Sequence, residues 1–160
     1  MQFDIQINDE RVLDALDGYL KRSQDLAPAM EIISGVLADA TDRAFINQQD
    51  PESDAPWAPL SPHTADRIVN GKRRGETPIL QVTGILAQSF RPEWGSDYAL
   101  VATNDIRAGT HQFGAAQGEY GQTENGRPIP FGDIPARRML GISSEDVSEI
   151  LEIFALHMSN

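Results

Sequence analysis

The chain has 160 residues, 40% of them hydrophobic, which suffices for one domain with a sizeable core. It carries a net charge of −11 and no cysteine, so disulfides, thiolate metal sites and cysteine catalysis are excluded. No apolar run approaches the roughly 18 residues of a membrane-spanning helix, and the absence of cysteine fits a reducing compartment. The acidity is uneven, with 12 acids and 4 bases in residues 1–60 against 12 acids and 9 bases in residues 61–160. Phosphate contacts need clustered Lys and Arg, so the first half is a poor surface for duplex DNA. It suits a partner with a basic face, or simply solubility.

Residues 2–7 alternate apolar and polar, placing Phe3, Ile5 and Ile7 on one side of an extended chain. This predicts a half-buried strand rather than a signal peptide. Asn8 is positioned to cap a helix with the stripe Val12, Leu13, Leu16 and Leu20, its start stapled by Ile7 against Val12. A longer helix is expected over 26–49, with Pro28 in its first turn. Met30, Ile33, Leu37, Ala40 and Ala44 form its main stripe, and Ile32, Val36 and Ile46 a second apolar flank. A stripe this wide suits a helix packed against a sheet, or against both a sheet and a helix.

Asp50 to Pro56 reads as a loop that delivers Trp57. Ser61 and Pro62 then start a short helix, expected to reach about Asn70 and close at Gly71. Lys72, Arg73 and Arg74 follow as a basic tip: a solvated turn, a contact for an acidic neighbour, or a weak, salt-sensitive contact with DNA. Thr83 is placed to cap a helical piece running through Ser89. Residues 90–94 and 98–103 read as two strands joined by Gly95-Ser96-Asp97, and with the first strand they predict a small antiparallel sheet.

His111 and Gln112 lie in what reads as a glycine-flanked turn. Residues 114–128 hold four glycines and no large aliphatic side chain, which predicts a flexible functional or disordered loop. Arg127 to Ile142 holds three prolines and two glycines among bulky residues, so it is neither an ordinary helix nor a central strand. It reads as an extended hook that pins Ile134, Met139, Leu140 and Ile142 into a core with Arg137 and Arg138 held mid-segment. Ser143 caps a terminal helix over 144–158, with Asp146 at its third position and Ile142 and Val147 as its staple.

The three histidines lie on separate elements without metal-ligand spacing, and there is no nucleophile elbow or phosphate-cradling loop. No catalytic residue, metal or cofactor is expected. His111 is the best single candidate for a special role, against a side chain that merely satisfies backbone groups. Arg137 and Arg138 suit either an internal salt bridge that locks the hook to the acidic first half or a grip on a partner's backbone carbonyls or a carboxylate. Trp57, Tyr120 and Phe131 are the aromatic candidates for partner contact, Trp57 also reading as a core anchor.

Four blocks carry a resemblance to a known family: Trp57-Ala-Pro-Leu-Ser-Pro-His-Thr64, Ile79-Leu-Gln-Val-Thr-Gly-Ile-Leu-Ala-Gln-Ser89, His111-Gln-Phe-Gly114 and Ile134-Pro-Ala-Arg-Arg-Met-Leu-Gly-Ile-Ser143. In order and spacing the chain resembles the phage virion morphogenesis family, the tail-completion proteins of Mu-like phages. The family's Pro-Ala-Arg motif falls on Pro135, Ala136 and Arg137, while Arg138 stands where proline is usual. The resemblance implies a non-enzymatic structural protein of the head-to-tail junction. It would form a ring, six copies suiting tail symmetry, and meet tail tube or terminator and head-connector proteins, first in the host cytoplasm and then in the virion, with no membrane. Its rivals are a DNA-contacting neck component using Lys72, Arg73 and Arg74, and a hydrolase built on His111. The expected fold is one α+β domain, a small antiparallel sheet with a long helix packed across it and a C-terminal helix.

Overall fold

The computed structural model describes residues 10–159. The strand expected at 2–7, and the Asn8 cap and Ile7 staple expected for the helix after it, lie outside the described residues, as do the side chains of Val12, Leu13 and Leu16. The architecture is α+β. Helices α1 (Glu10–Gln24), α2 (Ala27–Asn47) and α5 (Ser144–Ser159) lie together. Between them in sequence come the short helices α3 (Pro62–Ala65) and α4 (Arg107–Phe113) and two antiparallel hairpins. One hairpin pairs β1 (Ile68–Val69) with β2 (Lys72–Arg73), and the other pairs β3 (Arg91–Trp94) with β4 (Ala99–Ala102).

Helix α2 is the spine. It meets the β3–β4 hairpin and α5 as well, so the wide stripe does serve a sheet and a helix together. The buried face is Ala29, Met30, Ile33, Val36, Ala40, Ala44 and Phe45, with Ser34 and Thr41 among them. Those two hydroxyls donate to the carbonyls of Glu31 and Leu37 and so enter the core satisfied. The second flank is narrower than its composition suggests, because Ile32 and Ile46 are exposed. The helix ends at Gln48 in the left-handed conformation, its amide returning to the Ala44 carbonyl.

The core closes where α2 ends. Phe45 meets Trp57 edge-on at 5.5 Å between ring centroids and Phe90 at 5.8 Å. Leu86, Ala108 and Met139 complete the cluster, and Met139 is 0% exposed. Gln48 and Gln81 bolt the 77–83 segment to this end. The Gln48 side-chain oxygen accepts from the Ile79 amide at 2.7 Å, and the Gln81 amide group donates to the Phe45 carbonyl at 2.7 Å.

Two local expectations change. Ser61 does cap a helix begun by Pro62, its hydroxyl accepting from the Thr64 amide, but α3 stops at Ala65 rather than near Asn70. Ile68 and Val69 are β-branched and Asn70-Gly71 takes positive φ at both positions, so the chain turns back as a hairpin. His111 and Gln112 lie in α4 and not in a turn; its end at Gly114 is a close approach. Gly114 has φ of +77°, and a Cβ there would sit 2.8 Å from the Ile134 carbonyl oxygen.

At the far end, the Arg22 Nε donates to the Met158 carbonyl at 2.9 Å, and a ring nitrogen of His157 lies 3.0 Å from the Asp25 carbonyl. These tie α5's last turn to the α1–α2 corner. A Met139→Ala variant is expected to lose about 3 kcal/mol of stability, the usual cost of emptying a fully buried methionine site; equilibrium urea unfolding measures it.

Candidate functional site

The four sequence blocks that carry the resemblance are far apart in the chain and meet in space. The meeting point is the hook at 134–142. Its extended path is set by Pro135 and by the bridge that pairs Ala115 with Ile134. From that path alternate side chains turn opposite ways, Arg137 and Met139 inward, Arg138 outward.

Arg137 is 5% exposed. Its Nε donates to the Ala58 carbonyl at 2.8 Å and an Nη to the Pro59 carbonyl at 3.0 Å, while its own amide donates to the His111 carbonyl at 2.6 Å. The planar fork fits two successive carbonyls that the prolines of 57–62 leave without helix or sheet partners. Of the two roles read from sequence, this geometry is the internal lock, made through carbonyls and not through a carboxylate. Burial lowers the Arg137 pKa from its ordinary value, and the guanidinium remains a buried cation.

Gln112 is the second clamp, and the sequence reading gave it no role. Its side-chain oxygen accepts from the amides of Met139 and Leu140 at 2.8 and 3.0 Å, and its nitrogen donates to the Leu140 carbonyl at 2.9 Å. It mimics a strand partner for the hook. The one available signal was the Gln-Phe-Gly spacing, which makes sense only when Gly114 is seen to let the backbone approach.

Trp57 is buried, its ring nitrogen donating to the Arg138 carbonyl at 2.9 Å, so it acts as a core anchor here. Arg138 faces solvent and reaches Glu52 at 3.1 Å and Asp50 at 3.7 Å. The internal salt bridge foreseen for the hook is therefore made by Arg138. Phe131 is 67% exposed, and Tyr120 is also exposed, its hydroxyl 2.9 Å from that of Thr110. Residues 114–128 are laid along 129–134. The amides of Gly118 and Tyr120 donate to the Pro130 and Ile129 carbonyls, and Gln117 binds the Asp133 carboxylate.

The hook ends at the start of α5. Ser143 and Asp146 form a reciprocal cap: the Ser143 hydroxyl accepts from the Asp146 amide at 3.1 Å, and Asp146 accepts from the Ser143 amide at 2.8 Å. Arg43 of α2 pairs with the same carboxylate. Burial alone would raise the Asp146 pKa; the Ser143 amide and hydroxyl and the Arg43 guanidinium outweigh it and hold the group below its ordinary value.

The expected basic tip divides. Lys72 and Arg73 sit on the exposed β2, where Arg73 lies 3.7 Å from Asp66. Arg74 begins a 3₁₀ turn and faces a cleft of about 360 Å³ between the 78–82 segment and the hook. His111 and Arg137 line the same cleft. Arg74 Nε and His111 Nδ1 are buried there without hydrogen-bond partners. Burial, then the charges of Arg137, Arg107 and Arg74, push the His111 pKa below 6.5. Among the described residues no group of three or more His, Asp or Glu side chains could hold a metal ion.

The hook and the elements around it form a braced junction, and comparison with known proteins gives its class. The model of the phage virion morphogenesis family matches residues 7–159, and the chain belongs to that family. Its part is therefore structural or in assembly. It is 29% identical to the putative capsid assembly protein G of Escherichia phage Mu, over 99% of this chain and 96% of that protein. It is also 29% identical to the Mu-like prophage FluMu G protein 2 of Haemophilus influenzae, over 93% of this chain and 91% of that one. No solved structure matches it.

Two predictions follow from the clamps. Replacing Arg137 with Ala is expected to cost about 3 kcal/mol, since two charge-assisted hydrogen bonds of a buried side chain are lost and two part-buried carbonyls lose their partner; urea unfolding at neutral pH reads this directly. Acid stability should fall in two stages. His111 titrates near 6.5 when unfolded and lower when folded, so stability is complete above 6.5 and drains as pH falls toward the folded value. Asp146 adds a second loss as pH falls from about its ordinary 3.8 through its lower folded value. Thermal melts against pH should show the first stage flattened in His111→Gln and the second in Asp146→Asn.

Proposed function

We propose that the protein acts at the head-to-tail junction, assembling as a ring that docks between the tail and the head connector. The observation that carries this reading is the convergence of the family's four sequence blocks on one rigid seam. Arg137, Gln112, Trp57 and Asp146 are all spent on holding the hook and α5 in a fixed relation to α2. Rigid placement of a surface is what docking by shape requires, because ordering costs are met before the partner arrives. Phe131, Tyr120 and Arg138, carried on the outer side of the braced segment and the 114–128 arm, are the residues offered to tail and neck partners.

The rival readings gain no support from the geometry. Arg74 turns into the cleft, leaving Lys72 and Arg73 as a pair too small for a duplex. Among the described residues His111 Nδ1 has no hydrogen-bond partner, so no carboxylate orients the ring through that nitrogen.

The test is made on particles. Virions assembled from a genome with a stop codon in this reading frame should yield filled heads and separate tails in electron micrographs, with infectivity restored by the protein supplied in trans. Gold-labelled protein should mark the point where tail meets head. Complete infectious virions without the protein, or label found elsewhere on the particle, would overturn the reading.

A further inference from the structure

The charge of the molecule is divided between two regions. Residues 1–60 and 141–160, which contain α1, α2 and α5, carry 16 acids and 4 bases; residues 61–140 carry 8 acids and 9 bases. The cleft at the hook lies in the second region except for Pro59 and Leu60 at its border. Its walls are apolar, among them Leu60, Ile79, Leu80 and Ile134, and it continues past Arg74 and His111 into a hollow floored by Leu86 and edged by Arg107.

The three arginines along it are not equal. Arg107 is paired with Asp105, and Arg137 is spent on the Ala58 and Pro59 carbonyls. Arg74 forms no ion pair among the described residues, and its Nε and the neighbouring His111 Nδ1 lack partners. Among the described residues Asp133 is the one carboxylate lining the cleft, and its Oδ1 already accepts from the Gln117 amide. An apolar groove with an uncompensated guanidinium calls for an acidic side chain flanked by hydrophobic ones.

The chain itself presents that chemistry on its other region. The outer side of α5 exposes Glu145, Glu149, Glu152 and Leu156 at spacings of four, three and four, which aligns them in one row. Leu151 beside that row is 63% exposed. An amphipathic helix laid in a groove presents its anchors at this kind of spacing.

We propose that the Arg74 cleft of one copy receives the Glu149–Glu152 row and the leucines of α5 from a second copy. Cleft and helix belong to different surfaces of the molecule, so the contact is head to tail. Such a contact closes into a ring when its rotation closes. The inference rests on the ring reading above and specifies its subunit interface.

The test is sedimentation velocity on the full chain over a concentration series, with circular dichroism melts confirming each variant is folded. The wild type should self-associate. Arg74→Glu and Glu152→Arg should each weaken association by roughly tenfold or more, as for a close interfacial charge pair. The two changes combined in one chain should recover most of that loss. Glu152 lies on an exposed helix face, so Glu152→Arg decides the matter alone if Arg74→Glu fails to fold. Wild-type association that neither variant weakens, or two losses without recovery in the double variant, overturns this interface and leaves the ring standing. A wild type that stays monomeric throughout removes the self-assembled ring and this contact with it, while the particle experiment still decides the junction.

Discussion

The structure depends on how one extended segment is held. Residues 134–142 have few backbone partners of their own, since Pro135 lacks a donor and only Ile134 joins a β-bridge. An extended segment against a core would leave amides and carbonyls unsatisfied, at a cost of about 1–3 kcal/mol each. Side chains supply what a neighbouring strand would have given. Gln112 serves Met139 and Leu140, Trp57 serves the Arg138 carbonyl, and Arg137 turns the exchange round by satisfying Ala58 and Pro59. Three stretches remote in sequence are thereby joined through side chain to backbone bonds.

That solution explains why the hook does more than fill a core. Met139 seals the cluster under Phe45 and Trp57, while Ser143, directly after the hook, caps α5 and Asp146 fastens it to Arg43 on α2. The position of α5 is thereby set twice, at its start by the hook and at its end by Arg22 and His157. A helix fixed at both ends can carry exposed leucines and glutamates as a surface of defined shape. The buried polar groups serve placement more than net stability, since burying a cation such as Arg137 costs free energy that its carbonyl bonds largely offset.

Much of this was legible in the sequence, for identifiable reasons. The α2 and α5 helices, the β3–β4 hairpin, the Ser61 and Ser143 caps and the burial of Met139 follow from periodicity and local turn chemistry, which a single chain displays openly. The misreadings occur where a distant partner or a competing local turn decides. His111-Gln112 reads as a turn because Gly109 and Gly114 flank it, yet Gly114 serves the approach of Ile134 and not a local bend. Residues 66–70 continue a helical pattern weakly, and the Asn70-Gly71 turn overrides it. Ile32 and Ile46 look like core from composition alone; the width of the buried face is set by what packs on α2.

The candidate site was half visible. Its arginines and prolines stood out, but their directions did not, because alternation in an extended segment assigns Arg137 and Arg138 to opposite sides without saying which side is inside. The packing of Met139 decides that question. With Met139 at the centre of the core, Arg137 two residues earlier must also point inward, and Arg138 must face solvent toward Asp50 and Glu52. The same parity fixes what the outside of the seam can offer. Its inward positions are committed to holding the fold, so what the seam leaves exposed is the outward set with the surrounding arm and helix faces. A segment so divided can take substitutions on its outer side without loosening the brace on its inner one.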